Sequence, residues 1–169
     1  MSKLFETTQI NGLKFVNRFV RSATWTGMAT DQGAVTPELC SLLAELADGQ
    51  LGLIIAGHAY VRREGRAGVR QLGIYSDELV AGLTDMVDSV HQRGGKILAQ
   101  LAHAGAFADT RLSGKPAVGP SKIEVGPGQF CEKLTTTKIT EIVTGFRAAA
   151  RRAKQAGFDG IQIHAAHGY

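Results

Sequence analysis

Two histidines and a tyrosine stand close together in the last part of the sequence, as His164, His167 and Tyr169. They follow residues 157–163, whose alternating apolar side chains predict a buried parallel strand. A straight strand points residues i and i+3 to opposite faces, so both imidazoles reach one target only if the chain bends between them. Two imidazole N–H groups could then hold a carbonyl oxygen that gains negative charge, while a phenol delivers a proton nearby. The pattern predicts an oxyanion-binding and proton-donating site.

Two other interpretations of the histidine pair stay open at this point. Histidines three residues apart can form half of a metal site, although no further histidine, cysteine or carboxylate stands at the expected spacing. They can also fill a strand end without any chemistry, and a tyrosine taken alone is more often a packing residue than an acid. The adjacency of all three groups is what favours a catalytic site.

Strand and helix signals alternate along the chain that must position this cluster. Asn11-Gly12, between alternating residues, predicts an opening β-hairpin. Thr36 and Pro37 predict a helix start, as does Ser76. The predicted strands are 18–25, 51–58, 96–103 and 157–163, and the predicted helices are 37–48, the segment from Ser76 to Gly94-Gly95, and 139–153. This order predicts an α/β fold with a parallel sheet and right-handed crossovers.

The carboxyl ends of the predicted strands carry polar side chains, and parallel sheets bind ligands at those ends. The residues at these ends are Thr24, Trp25, Gly57, His58, Gln100, His103, His164 and His167. No Gly-rich nucleotide-binding motif follows any of the strands, so neither a dinucleotide fingerprint nor a P-loop is predicted. Segment 105–137 is too long for an ordinary connector and is expected to be functional. The charged loop 62–66 is expected to be a solvated turn and not a phosphate clamp.

Composition limits the classes of protein to consider. With 169 residues, 44% of them hydrophobic, the chain has the statistics of one globular domain or part of one. The net charge is +4, but the basic residues are dispersed, so no nucleic-acid partner is predicted. Cys40 and Cys131 are far apart and no secretory segment opens the chain, which favours the cytoplasm. The longest apolar stretch, 51–56, is too short to cross a membrane.

Four segments give the chain a family resemblance: NGLKFVNRFVRSATW, LGLIIAGHAYV, AQLAHAG and IQIHAAHGY. Over essentially all 169 residues, the sequence resembles the N-terminal half of the Old Yellow Enzyme family, the FMN-dependent ene-reductases and their NADH:flavin oxidoreductase and dienoyl-CoA reductase relatives. The resemblance implies a (β/α)8 TIM barrel. Residues 1–169 would supply its N-terminal hairpin and roughly its first four strands, as half of a single FMN-binding domain.

The resemblance also implies roles for individual residues. FMN would contact the end of the first strand and two further side chains, with Gln100 on its pyrimidine edge; these residues are Ser22, Ala23, Thr24, Trp25, His58 and Gln100. His164 and His167 would bind the carbonyl oxygen of a small enone, and Trp25 would lie beside the substrate. NADH or NADPH would reduce the flavin, hydride would pass to the β-carbon of the enone, and Tyr169 would protonate the α-carbon.

This chain departs from the family pattern at two positions, at the end of the first strand and just after it. Many bacterial members carry a cysteine that tunes the flavin where this chain has Trp25, and many have a tyrosine near Gly27. The indole would reshape the space above the flavin. Neither the redox potential nor the substrate range of those members is therefore carried over.

Two alternatives to a complete reductase follow from the same residues. A truncated half could be inactive alone, or it could be a non-catalytic half-barrel that serves assembly or interaction and forms homo-oligomers through its unpaired strand edges. Another flavin-binding barrel, such as a dihydroorotate dehydrogenase relative, is disfavoured by the HAAHGY ending. The sequence leaves open the physiological substrate, the choice between NADH and NADPH, and the presence of iron-sulfur or FAD domains in a longer parent.

Overall fold

A β-hairpin opens the chain, as the Asn11-Gly12 pair predicts. The structure, a computed structural model, describes residues 2–169. A short 3-10 helix (Lys3–Phe5) precedes β1 (Thr8–Ile10) and β2 (Leu13–Phe15), which pair antiparallel. Asn11 and Gly12 both have positive φ, at 48° and 84°, which is the backbone that a two-residue hairpin turn needs.

Strands and helices alternate after the hairpin, as predicted. In chain order the remaining elements are β3 (Val20–Arg21), α1 (Pro37–Asp48), β4 (Leu53–Ile55), β5 (Ala59–Tyr60), α2 (Val80–His91), β6 (Ile97–Ala102), α3 (Thr110–Ser113), β7 (Val118–Gly119), β8 (Glu124–Gly126), β9 (Gln129–Phe130), β10 (Glu132–Lys133), α4 (Thr136–Gln155) and β11 (Gly160–Ile163). Short 3-10 helices lie at Arg63–Gly65, Asp77–Leu79 and Gly105–Phe107.

The main sheet has the order β11-β6-β4-β3, and all of its pairings are parallel. Strand β5 pairs with the end of β6. Consecutive strands of the chain are therefore neighbours in the sheet, with a helix between each pair. Within the residues that the structure describes, β3 and β11 are the two edges and the sheet does not close.

The core lies between this sheet and helices α1, α2 and α4. Ile54, Ile97 and Leu101 of the sheet are fully buried, and Met86 and Ala149 are the equally buried residues that face them from the helices. Thr36 caps α1 by accepting a hydrogen bond from the Leu39 amide, and Pro37 is the first helical residue. Ser76 caps a 3-10 turn, so α2 itself begins only at Val80.

Two sequence predictions about strands are corrected by the structure. The first core strand was predicted over 18–25, but only Val20–Arg21 is paired. Residues 157–163 were predicted to be buried, yet Ile161 and Ile163 of β11 are 41% and 53% exposed. Alternation of apolar residues reports which face a side chain takes, but it does not report whether another element covers that face.

One long loop holds more regular structure than the sequence indicates, and the prediction for a second loop is wrong. Segment 105–137 is long, but it holds a parallel pair (β7 with β10) and an antiparallel pair (β8 with β9) around a small core that includes Cys131. Loop 62–66 is not a solvated turn, because the Arg66 side chain is buried and donates to the carbonyls of Asp31 (2.7 Å) and Gly68 (2.9 Å).

Candidate active site

A cleft of about 500 Å³ opens at the carboxyl ends of the parallel strands. Its position is the one that parallel α/β folds use for ligands. Each of β3, β4, β6 and β11, or the turn that follows it, contributes to the wall. The lining residues are Ala23, Trp25, His58, Gln100, Gln162, Ile163, His164, Ala165, Ala166, His167 and Tyr169.

The chain bends after β11 in the way that a shared target for both histidines requires. The His164 amide continues the parallel pairing by donating to the Leu101 carbonyl at 2.9 Å. His167 and Gly168 then take left-handed backbone, with φ of 59° and 74°, and the Tyr169 amide donates back to the Ala166 carbonyl at 3.1 Å. This turn brings Tyr169 back over the end of the strand.

Gly168 is required in this turn for a second reason besides its positive φ. A Cβ added there would lie 2.6 Å from Cε2 of the Phe107 ring, which is closer than any real contact of that kind. Phe107 belongs to the long segment 105–137, so that segment packs directly against the turn that carries Tyr169.

Four aromatic rings meet in the cleft, with His164 at their centre. Its ring centroid lies 5.3 Å from that of His167, 4.7 Å from that of Tyr169 and 6.0 Å from that of His58. The His167 and His58 rings stand nearly perpendicular to it, at 88° and 86°. The structure thus joins His58, from the loop after β4, to the three residues that the sequence groups together.

Burial sets the protonation states of the cluster at neutral pH. Desolvation lowers the pKa of His58, and the nearby His164 and His167 lower it further. The pKa of His164 is lowered by desolvation and then by His167. Desolvation raises the pKa of Tyr169. The lowered pKa values favour the neutral imidazoles of His58 and His164 at pH 7, with one N–H donor each, and the raised pKa of Tyr169 keeps its phenol protonated.

Gln100 and Gln162 form a pair on the wall of the cleft. They are direct neighbours in the parallel register of β6 and β11, and Gln100 Nε2 donates to Gln162 Oε1 at 2.6 Å. Sequence reasoning missed Gln162. The signal was present, because Gln162 lies two residues before His164 and so takes the same face of the strand.

The predicted contacts on the first strand separate into two groups. Ala23 and Trp25 line the cleft, and the indole is 52% exposed there. Ser22 and Thr24 do not line it, because side chains along extended backbone alternate between faces. The Thr24 hydroxyl donates instead to the Ser22 carbonyl at 3.2 Å.

His103 was predicted at the rim with Gln100, but it does not line the cleft. Its side chain is buried against Gly65, and its Nδ1 accepts a hydrogen bond from the Gly105 amide at 3.1 Å. Desolvation lowers the pKa of this imidazole. It therefore has a place in the packing of two loops and not in the cleft.

For the metal interpretation, the described residues place no further ligand groups beside the histidine pair. Among residues 2–169, no three histidine, cysteine, aspartate or glutamate side chains are grouped so that they could hold a metal ion. In the same residues, no helix is both long enough and apolar enough to span a bilayer.

Sequence comparison relates the whole described chain to one family. A profile of the NADH:flavin oxidoreductase / NADH oxidase family matches residues 3–169. The chain is 42% identical over 171 residues to a metal reductase of Desulforamulus reducens, covering 100% of this chain and 25% of the relative. It is 40% identical over 169 residues to an NADPH dehydrogenase of Halalkalibacterium halodurans, covering 99% of this chain and 49% of that protein.

Structural comparison gives the same relationship. The fold superposes on the Old Yellow Enzyme homologue of Zymomonas mobilis with a TM-score of 0.92 at 31% identity, covering 99% of this chain and 50% of that one. The chain thus spans about half the length of the NADPH dehydrogenase and of this structure, and about a quarter of the metal reductase.

Proposed function

We propose an enzymatic function from one premise: the chain belongs to the NADH:flavin oxidoreductase / NADH oxidase family, that of Old Yellow Enzyme, and folds as part of its (β/α)8 barrel. The proposed reaction in its cleft is reduction of the C=C bond of α,β-unsaturated carbonyl compounds. FMN with NADH or NADPH is the cofactor set of this family. Residues 1–169 are, in this proposal, the N-terminal half of one FMN-binding domain.

The observation that carries the proposal is the convergence of His164, His167 and Tyr169 on one cleft. The imidazole N–H groups of His164 and His167 bind the carbonyl oxygen of the substrate. Polarising that oxygen makes the β-carbon electrophilic, and the same two donors stabilise the enolate that forms. Tyr169 then donates its phenolic proton to the α-carbon, which completes the addition of two hydrogens across the double bond.

The lining of the cleft suits FMN in its donor set and its shape. Gln100 offers both an amide N–H and an amide oxygen, the groups that a pyrimidine edge pairs with. Trp25 and His58 offer flat ring faces on the same cleft, and Ala23 leaves room beside them. FMN held by these residues would supply the hydride chemistry, with NADH or NADPH as the source of the hydride and the β-carbon of the substrate as its acceptor.

A second function is favoured by the open edges of the sheet. Ile161 and Ile163 on β11 and Val20 on β3 are 41%, 53% and 52% exposed. Unpaired parallel strands with apolar side chains are surfaces on which other chains assemble. The alternative proposal is a non-catalytic half-barrel that works as an assembly module and forms homo-oligomers.

The place of the protein in the cell is a separate proposal. Cys40 and Cys131 are both free thiols. A reducing compartment preserves free thiols, so we propose the cytoplasm.

The test of the enzymatic proposal is FMN retention followed by turnover. Purified chain is mixed with FMN, excess is removed by gel filtration, and NADH or NADPH oxidation is followed with and without cyclohexenone. We expect retained flavin and enone-dependent oxidation. A colourless chain that elutes as a dimer or larger assembly would contradict the enzymatic proposal for this chain and support the assembly module.

Two tyrosine variants separate the proton donor from general effects. Tyr169→Phe should retain FMN and its reduction by the nicotinamide, but lose enone turnover by about 10²-fold or more. Tyr75→Phe, which alters a ring stacked on Tyr60 outside the cleft, is the matched control and should leave turnover unchanged. Equal effects of the two substitutions would refute the role of Tyr169.

A further inference from the structure

We infer that Gln162 is a positioning residue: it fixes the side-chain amide of Gln100 so that this amide presents a defined donor and acceptor to the cleft. The inference rests on the proposed function, because Gln100 is the residue assigned there to the pyrimidine edge of FMN. It adds a residue that acts through Gln100 and has no reacting atom of its own.

The register of the sheet brings the two glutamines together. Gln100 on β6 and Gln162 on β11 are Cα partners in the parallel pairing, so their side chains leave the sheet side by side on the same face. Gln100 Nε2 lies 2.6 Å from Gln162 Oε1. Both side chains line the cleft with His164 and Trp25.

The hydrogen-bond capacity of two amides shows what the contact leaves available. Each glutamine has two N–H donors and an oxygen with two lone pairs. The contact uses one N–H of Gln100 and one lone pair of Gln162. Gln100 keeps one N–H and its whole oxygen, and Gln162 keeps both of its N–H groups.

Those remaining groups match the chemistry of an imide edge. The pyrimidine edge of a flavin carries an N–H between two carbonyl oxygens, so it needs one acceptor and two donors. A free glutamine amide can present its oxygen and nitrogen in either order, because rotation about its last side-chain bond exchanges them. In the structure Nε2 of Gln100 faces Gln162 Oε1, an arrangement that leaves the Gln100 oxygen free for the imide N–H. Preorganisation of this kind raises affinity by lowering the entropy lost on binding.

Three variants distinguish positioning from bulk packing. Gln162→Leu keeps the approximate size but removes the acceptor, so Gln100 becomes free to rotate. Gln162→Glu keeps an acceptor at the same place. Gln155→Leu makes the same change as the first variant at an exposed position at the end of α4 and serves as its matched control.

The first measurement uses the chain without any ligand. Side-chain amide signals of Gln100 in ¹⁵N-labelled protein report the contact directly, because a hydrogen-bonded amide proton shifts downfield. We expect one such proton in the unchanged chain, in Gln162→Glu and in Gln155→Leu, and its loss in Gln162→Leu. A Gln100 signal that Gln162→Leu leaves unchanged overturns the inference.

The second measurement tests whether the positioned Gln100 amide recognises the imide N–H of FMN. Dissociation constants are measured for FMN and for its N3-methyl analogue, which lacks the imide N–H. The unchanged chain should prefer FMN by about tenfold, the usual scale for one lost hydrogen bond, and Gln162→Leu should reduce this preference to about twofold. An undiminished preference in Gln162→Leu overturns the positioning role.

The two measurements keep this inference separate from the proposed function. If the unchanged chain binds no FMN, the proposed function of the chain fails, and the amide signals alone decide whether Gln162 orients Gln100. If FMN binds but the amide signals show no contact, the proposed function stands and the inference fails.

Discussion

The two ends of strand β11 carry polar clusters of opposite character. At its start, the partly buried Asp159 carboxylate accepts hydrogen bonds from His91 Nε2 at 2.8 Å, Lys96 Nζ at 2.9 Å and the Ile97 amide at 2.9 Å. At its end, His164 and Tyr169 meet neighbouring rings. Within residues 2–169, no hydrogen bond joins their side chains to another protein group.

The difference separates a structural cluster from the cluster that we propose to be reactive. Burial alone would raise the pKa of Asp159, but the Ile97 amide, His91 and Lys96 outweigh it, and the pKa is lowered. The stabilised carboxylate connects the start of β11 to Lys96 and Ile97 at the start of β6 and to His91 at the end of α2. At the other end, the described residues leave the polar atoms of the His164 and Tyr169 rings without a hydrogen-bond partner, as the proposed substrate binding requires. Barrel folds divide their two faces between stability and chemistry in the same way.

Removing a ring from the reactive end should give the largest effect of all on turnover. We expect His164→Ala to slow enone reduction by about 10² to 10³-fold, because one donor to the developing oxyanion is lost. The free energy of unfolding should change by less than about 1 kcal/mol, since the half-buried ring makes no hydrogen bond that holds the fold. Steady-state kinetics and urea unfolding measure the two effects. Loss of stability in proportion to activity would erase the contrast between the two ends.

Removing the carboxylate from the structural end should have the reverse profile. Asp159→Ala is expected to lower the free energy of unfolding by about 3 kcal/mol, because it leaves a buried amide and two basic groups without their acceptor. Asp88→Ala, on the exposed face of α2, is the matched control and should stay within about 0.5 kcal/mol. Similar urea midpoints for the two variants would contradict the structural role.

Acid should destabilise the two ends in different pH windows. The pKa values of His58 and His164 are lowered in the folded chain, so the unfolded chain takes up protons first and stability falls as pH drops below about 6.5. The lowered pKa of Asp159 gives a second loss as pH drops below about 4.

Variants assign each window to its cluster. Replacing His58 and His164 by asparagine should reduce the step near neutral pH to the part that the buried His103 contributes, and leave the acidic step unchanged. Asp159→Asn should reduce the acidic step, to which Glu64 and Asp109 also contribute, and leave the step near neutral pH unchanged. Thermal melting followed across pH 3 to 8 measures both, and a single window common to all variants would show that the clusters are not independent.

The smallest effect on the free energy of unfolding is expected for the exposed apolar side chains of β11. Ile163→Val should change the free energy of unfolding by less than about 0.5 kcal/mol, because Ile163 is 53% exposed. The same substitution at the fully buried Ile97 on β6 should cost about 1 kcal/mol. Equal costs would mean that the outer face of β11 is covered in solution, as the assembly proposal requires.

The sequence predicts the elements better than it predicts their surroundings. The hairpin at Asn11-Gly12, the start of α1 at Thr36 and Pro37, and the strand–helix order all depend on local rules, and the structure confirms them. The exposure of Ile161 and Ile163 depends on what lies beside the strand, and periodicity carries no information about that.

The same limit applies to the site. The grouping of His164, His167 and Tyr169 follows from their adjacency in the chain. His58 joins the ring cluster through contacts with residues that are distant in the sequence. Gln100 and Gln162 form a pair although they are 62 positions apart. The burial of Arg66 and of His103 likewise depends on distant loops that the local pattern does not specify.

The close packing of Gly168 against Phe107 restricts how this fold can be redesigned. Segment 105–137 is a suitable unit for exchange between homologues, since it contains two strand pairs and most of a small core. A graft that places a side chain at position 168 would press it against the Phe107 ring, so either that ring or the turn that carries Tyr169 would have to move. Chimaeras should therefore tolerate new loops most readily when positions 107 and 168 are inherited together.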